Sequence, residues 1–450
     1  MKLTDYLFTI LPKGVAYHAA RRGRIAPPTP LTLTFSVTAA CQSRCLTCHI
    51  GRVYLADPQL ARHNLSLAEI EQVFASLGRV YFLNISGGEP FMRPDLAEII
   101  RLACIHLRPR LIHIPTNAYA PRFIDKTTRK ILQIMDAQLP ATVPLSLKPS
   151  IDGIGAMHDH VRGLPGNFAK LDQTIELLLA IRRENPRLHV DLGTVISNHN
   201  LHHLDQIEDW VHARGIESYR HEIAEQRAEF HNLGDPITPA PDVYEALTER
   251  FARKIEQNIA GKAWLTRTTE AVRLVYYRLA VRIIRERRQV TPCLAGLSNI
   301  HLNYDGTVWP CCVLGGEQAM GRVRDWNYDL KALLNSEQAW KSRRDIAAGS
   351  CACPLANQWL SNVLLTPRHM AAVLYTLLFR LRRASVAVPE DEPAAHPAPD
   401  PAAVTVNLAG TRRGRALVLH RHGTIPEPET VDLPAYDGTD GSEATSAVTP

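Results

Sequence analysis

Three thiols, Cys41, Cys45 and Cys48, stand within eight residues in the run Ala-Ala-Cys-Gln-Ser-Arg-Cys-Leu-Thr-Cys-His. Three closely spaced thiolates can hold three irons of a four-iron, four-sulfur cube, whose corners are otherwise filled by four protein ligands. One iron is then left open, and an open iron can bind a small molecule through chelating atoms. The competing chemistry is a zinc site, which needs a fourth ligand that His49 can supply. A second group of thiols, Cys293, Cys311, Cys312, Cys351 and Cys353, lies far along the chain, and Cys104 stands alone. Cys104 falls in a helical stretch and reads as a small buried hydrophobe.

Thiols grouped in this way suit metal ligation in a reducing cytoplasm better than a disulfide framework, so a cytoplasmic location is expected. The chain has 450 residues and 45% hydrophobic content, enough for two or three domains with a large core. No stretch approaches the roughly 18 consecutive apolar residues of a membrane span, and the short apolar run at the start is broken by Pro12. Net charge is +6, but from Ser385 onward four Arg face ten acidic residues, which leaves a body of +12. Such a body attracts anions, among them phosphorylated substrates or an acidic membrane surface, or it is an ordinary solvated surface. No nucleic-acid partner is expected.

The elements that must position these residues alternate. Short β-branched runs at 31–37, 80–86, 111–116, 143–151, 188–196 and 216–223 are separated by helical stretches at 65–77, 94–106, 122–137, 167–183 and 201–213, the pattern of βα units on a parallel sheet. Six such units make a partial (β/α)6, TIM-like barrel of the α/β class, with active groups at the carboxyl ends of the strands. The early thiols follow the first strand. The second ends in Ser86-Gly87-Gly88-Glu89-Pro90, where glycines let backbone approach a ligand closely and Glu89 can accept hydrogen bonds from an ammonium group. Thr116-Asn117-Ala118 closes the third strand. Ser150-Ile151-Asp152-Gly153 ends the fourth, ahead of His158-Asp159 and Arg162-Gly163, and Asn198 stands just beyond the fifth. Each alone reads as a turn or cap residue; their shared rim is what joins them.

The CxxxCxxC spacing, with Gly-Gly-Glu-Pro one βα unit later, resembles the radical S-adenosylmethionine (radical SAM) superfamily. The resemblance implies that Cys41, Cys45 and Cys48 hold a catalytic four-iron cluster. The open iron would take the amino and carboxylate groups of SAM, and an electron would break the sulfonium to give a 5′-deoxyadenosyl radical. It implies that Gly87, Gly88, Glu89 and Pro90 position SAM, that Ser150 and Asp152 reach ribose hydroxyls, and that Asn117 and Asn198 are further contacts. Two letters depart from the family: Ala118 replaces a frequent glycine, and Thr47 stands where an aromatic residue usually precedes the third cysteine. His49 or Ile50 would then pack against the adenine.

Farther on, Asp305-Gly306 is a hairpin signal between two β-rich runs, bringing Cys293 and Cys311 toward one end. With Cys351-Ala352-Cys353 this resembles the SPASM or twitch extension of radical SAM enzymes, which holds an auxiliary iron-sulfur cluster. Five cysteines fit the one-cluster, twitch-like form. The implied ligands are Cys293, Cys311, Cys351 and Cys353, with Cys312 as the alternate for Cys311 and a structural zinc as the competing occupant. Between the barrel and this small α+β domain lie two long helical segments. The second, near 264–288, is basic and amphipathic, as is 371–383, so peripheral membrane contact is a further expectation.

The expected organisation is therefore an N-terminal extension at 1–30, a core barrel at 31–223, a helical connector at 224–290, the auxiliary-cluster domain at 291–360, an amphipathic helix at 361–384 and a mostly disordered tail at 385–450. A strand pair at 404–408 and 416–419 is possible within that tail. The resemblance implies an enzyme that abstracts hydrogen from an unactivated carbon, fed by an electron donor such as flavodoxin or ferredoxin. The thirty residues before Leu31 are short for the leader-binding domain that peptide-modifying members often carry, so a small-molecule, sugar or lipid substrate is the first expectation. The alternatives are a peptide- or protein-modifying maturase and a non-catalytic iron-sulfur carrier or metal-binding module.

Overall fold

The computed structural model describes residues 6–381 apart from positions 217, 260, 261, 263, 350 and 355. The tail and its expected strand pair lie outside the described residues. In chain order the helices are α1 (Leu11–Arg21), α2 (Ile50–Ala56), α3 (Leu67–Leu77), α4 (Leu96–His106), α5 (Pro121–Gln138), α6 (Ala156–Arg162), α7 (Asn167–Glu184), α8 (Leu204–Ala213), α9 (Pro241–Gln257) and α10 (Trp264–Glu286). The strands among them are β1 (Thr32–Ser36), β2 (Phe82–Ser86), β3 (Leu111–Thr116), β4 (Leu145–Pro149), β5 (Leu188–Ile196) and β6 (Ser218–Ile223). All six pair in parallel, in sequence order, and their ends lie within two residues of those expected.

Strand alternation sorts the barrel's two faces. On β1, Leu33 and Phe35 join the core, where Phe35 meets Phe74 of α3 edge-on at 5.9 Å. Thr34 and Ser36 take the opposite face: Asn84 Nδ2 donates to Thr34 Oγ1 at 3.4 Å and Ser36 Oγ lies 2.7 Å from His301 Nε2. The same side carries a polar chain in which His113 Nδ1 lies 2.8 Å from Ser146 Oγ, which donates to Asp191 Oδ2 at 2.5 Å. Lys148 Nζ meets Glu222 Oε1 at 3.2 Å nearby. Burial, reinforced by the charge of Lys148, holds His113 down to about 3, so the imidazole is neutral there.

The expected hairpin forms from β7 (Asn299–Leu302) and β8 (Thr307–Trp309), followed by β9 (Gly321–Arg322). It does not stand apart from the barrel. Strand β7 pairs in parallel with β1, giving one nine-stranded sheet in the order β6-β5-β4-β3-β2-β1-β7-β8-β9. Beyond it come α11 (Leu330–Leu334), α12 (Glu337–Ala347), α13 (Ala356–Leu365) and α14 (Pro367–Tyr375).

Two helical regions differ from the sequence expectation. Helix α1 lies in the N-terminal extension, where Arg21 donates to the carbonyls of Cys293 and Ala347 and His18 Nε2 lies 3.0 Å from the Leu365 carbonyl, so the extension packs on the C-terminal cysteine region. Helix α10 is an internal helix. Val272, Val275, Tyr276, Leu279 and Ile283 are buried, and its arginines have protein partners: Arg273 with Glu270, Arg278 with Thr376, Arg282 with Glu286, and Arg285 with Asp242 and Glu245. The basic residues expected to be free on this helix are thus met by groups of the chain's own. No helix among the described residues is long and apolar enough to cross one.

Candidate functional site

The loop after β1 carries Cys41, Cys45 and Cys48 and is clasped from several sides. From β2, Gly88 N donates to the Thr38 carbonyl at 2.9 Å and Glu89 N to the Ala40 carbonyl at 2.8 Å. A β-carbon on Gly88 would stand 2.1 Å from the Ala40 carbonyl oxygen, and Gly87 holds φ at +125°. These glycines are thus needed for the chain's own backbone to close on the residues before Cys41, a use other than the approach to a ligand read from the sequence. At the far end of the loop, a β-carbon on Gly51 would lie 1.7 Å from the Ser43 carbonyl oxygen, so the cysteine segment is curled tightly onto the start of α2.

Helix α6 closes a second side, with Arg44 N and Leu46 N donating to the carbonyls of Arg162 and Val161. The loop after β6 closes a third. His49 N donates to the Phe230 carbonyl, Asn232 Nδ2 to the Thr47 carbonyl at 2.8 Å, and His49 Nε2 meets Asp235 Oδ2 at 2.6 Å. His49 Nε2 is therefore engaged by Asp235, while its Nδ1 is buried without a hydrogen-bond partner.

Burial raises all three early thiols; the charge of Cys45 raises Cys41 and Cys48 further, whereas Arg162 opposes the rise at Cys45, and Cys41 is pushed up to about 12. Such thiols ionise when a metal supplies the compensating charge. Among the described residues, the group whose ligand atoms lie within 4.8 Å of one another is Glu229, His301 and Cys312; neither the early nor the late cysteine set converges in that way. A single tetrahedral zinc would draw its sulfurs to about 3.8 Å apart.

Glu89 is buried and acts as a hub. Oε1 accepts from Thr116 Oγ1 at 2.8 Å and Phe91 N at 3.1 Å, and Oε2 accepts from Asn117 N at 2.6 Å. That leaves one of the roughly four acceptor sites of a carboxylate for an ammonium donor. Pro90 opens the short 3-10 turn Pro90–Met92 beneath it. Asn117 reaches back to the cysteine loop, its Nδ2 donating to Ser43 Oγ at 2.9 Å, while Ala118, at φ +62°, sits in the left-handed region that suits the glycine it replaces.

Desolvation raises Glu89 to about 7, and Glu229 likewise. In the cluster-free chain both keep a proton up to that pH, whereas the unfolded chain releases it above about 4.3. The folded state therefore loses stability as pH rises between those values, by roughly 3 kcal/mol for each group. Thermal melts of the cluster-free protein should fall between pH 5 and pH 7, and Glu89→Gln should flatten that slope. An unchanged slope in the variant would remove Glu89 as its source.

Ser150 continues β4 by a bridge to Gly193, with its N–H on the Thr116 carbonyl. Asp152 is buried, its Oδ1 accepting from Val195 N at 2.9 Å and its Oδ2 paired with Arg162 Nη2 at 2.8 Å. Asn198 spends its side-chain amide on the carbonyls of Pro236 and Thr238, at 2.7 and 3.2 Å. Both side chains are thus engaged in holding loops together at the rim.

Sequence reasoning passed over Arg162. Its Nη1 lies 3.9 Å from Cys45 Sγ, so one buried guanidinium bridges Asp152 and a cysteine of the loop. The available signal was its place in the Arg162-Gly163 pair. Removing that positive charge beside a cluster should make it harder to reduce by on the order of 100 mV. Redox titration followed by EPR should show this for Arg162→Gln, with most of the potential retained in Arg162→Lys; equal potentials in all three proteins would refute it.

The late cysteines gather in a second region of the chain. Cys293 and Cys311 pack together with Ala295 and Ile346, and Cys293, Cys351 and Cys353 line one cavity with Gln289 and Asn362. Gln289 Nε2 donates to Cys351 Sγ at 3.6 Å. Burial again raises Cys293, Cys311 and Cys351, Cys293 to about 11. Cys312 falls in the other group, with Glu229 and His301.

Residues 35–211 match the family described as the radical SAM superfamily. The chain carries a radical SAM domain. Members of that family use a four-iron cluster and S-adenosylmethionine, and the thiols, the Glu89 carboxylate and the polar rim are a donor set that fits both. The chain is 22% identical over 338 residues to the antilisterial bacteriocin subtilosin biosynthesis protein AlbA of Bacillus subtilis, covering 73% of this chain and 66% of that one. It is 30% identical over 179 residues to the mycofactocin maturase MftC of Mycobacterium ulcerans, covering 39% and 42%. The chain thus spans just under two thirds of the first relative and about two fifths of the second. The crystal structure of SuiB from Streptococcus suis shares the fold, with TM-score 0.50 and 14% identity over 74% of this chain and 71% of that one.

Proposed function

We propose that the protein is a radical SAM maturase acting on a peptide or protein. The observation that carries the radical chemistry is the cysteine loop held over the carboxyl end of β1, with the Glu89 hub beside it at the end of β2. Cys41, Cys45 and Cys48 would hold the four-iron cluster, Glu89 would take the amino group of SAM, and the auxiliary cluster would sit at Cys293, Cys311, Cys351 and Cys353. When bound, the first cluster supplies the electron that cleaves SAM. The chain's own part is to fix the three thiols, keep water from them by burial, and present a polar barrel interior built from Lys148, Glu222, Ser146 and Asp191.

The relatives favour the peptide alternative over the small-molecule, sugar or lipid substrate expected from the sequence. The test begins with anoxic reconstitution followed by SAM and dithionite, which should release 5′-deoxyadenosine; a carrier would only change redox state. The same mixture is then given a random-sequence peptide library and, separately, a peptide-free metabolite extract. Faster 5′-deoxyadenosine release with the library, and a mass change in recovered peptides, support the maturase reading. Stimulation by the metabolite extract alone would overturn it while leaving the radical chemistry in place.

A further inference from the structure

Adjacent thiols part company after β8. Cys311 packs with Cys293, whereas Cys312 lies with Glu229, from the 3-10 turn Ala228–Phe230 after β6, and with His301 of β7. One ligand atom from each of the three lies within 4.8 Å of the others, and Glu229 Oε1 is 3.9 Å from His301 Nε2. We propose that Glu229, His301 and Cys312 bind a zinc ion, with one coordination position left open. This site is distinct from both cysteine clusters and does not rest on the identity of the substrate.

Several observations point to a ligand there. The side chains of His301 and Glu229 are 1% and 8% exposed, yet His301 Nδ1 and Glu229 Oε2 are buried without a hydrogen-bond partner. An unsatisfied buried polar atom costs about 1–3 kcal/mol, and two in one small group call for a partner. Ser36 Oγ, 2.7 Å from His301 Nε2, anchors the ring in the way that outer contacts orient metal-binding imidazoles. The nearest cation, Arg227, is engaged by Glu225, whose Oε2 accepts from Arg227 Nε at 3.0 Å and also from Nη2. Arg227 is therefore matched by an anion of its own, and the Cys312 thiol and Glu229 carboxyl, both raised by burial, would ionise against a divalent ion.

The donor set selects the metal. One thiolate, one imidazole and one carboxylate are all zinc ligands, and three protein ligands with an open fourth position mark the sites at which zinc binds water or a substrate atom. The three residues come from separate elements fixed by the sheet, with His301 opposite Thr34 in the β1–β7 register. The charge of Glu229 is felt at Cys48, so the ion would lie beside the radical SAM loop, where its open position can hold a donor atom of the substrate.

The test uses the full chain, expressed with zinc and iron and purified anoxically. Expected are about one zinc per chain alongside about eight irons, and a zinc X-ray absorption spectrum with one sulfur and the remaining neighbours nitrogen or oxygen. Cys312→Ser and His301→Ala should each lower zinc content at least about tenfold while iron is unchanged. Absence of zinc, a spectrum with three or four sulfurs, or full zinc retention in Cys312→Ser would each overturn the proposal. If His301→Ala does not fold, Glu229→Gln and the wild-type spectrum carry the same decision, because zinc absorption is read independently of iron.

Discussion

The Cys45→Ala variant should keep about four of about eight irons and lose 5′-deoxyadenosine formation by at least about a thousandfold. Cys45 is the most informative of the three early thiols to remove. Its charge is felt at both Cys41 and Cys48, and Arg162 reaches its sulfur while remaining paired with Asp152. Alanine removes one sulfur atom and leaves that buried ion pair intact, so the fold should persist and the loss can be read as loss of a ligand. Iron analysis, a cleavage assay and a thermal melt on the same sample check this. Retention of all the iron would show that the loop is not the ligand set, and loss of all of it would show that the late cysteines hold none.

The Gly88→Ala variant should lose early-cluster iron even when SAM is withheld, and melt about 5 °C lower. The added β-carbon would stand 2.1 Å from a backbone oxygen, at Ala40, which cannot swing aside as a flexible side chain can. That oxygen also accepts the Glu89 N–H, so relief of the clash opens the seam between β2 and the cysteine loop. Displacing packed backbone in this way costs about 4 kcal/mol. Were the glycines needed only to admit a ligand, the variant would keep its iron and its melting point and lose SAM affinity alone. Iron content and a melt, each with and without SAM, decide between the two.

Much of this architecture is legible in the amino-acid order. Strands β1 to β6 announce themselves as β-branched runs, because a parallel strand covered on both sides leaves little room for polar residues except those facing the barrel interior. Helix α1 stays hidden: its buried face is Gly14, Tyr17 and Ala20, too small to register as an apolar stripe, and Pro12 and Gly14 argue against a helix locally. The pairing of β7 with β1 is equally invisible, since nothing within 299–302 names a partner more than 250 residues away. At the site, residue types were legible and their directions were not. Gly88 faces the chain's own backbone, Asp152 faces Arg162, and Cys312 parts from Cys311 because successive residues beyond a strand point to different sides.

The ladder shared by β1 and β7 makes the two cysteine regions mechanically one. The early thiols follow β1 directly, and Cys311 follows the hairpin that β7 begins, so the span an electron would cross between them is measured out by parallel backbone hydrogen bonds rather than by a hinge. A barrel excised at residue 290 would expose the long edge of its first strand and should self-associate or fail to fold. The spacing of the two cysteine regions is built into the weave, since β7 shares its hydrogen bonds with β1.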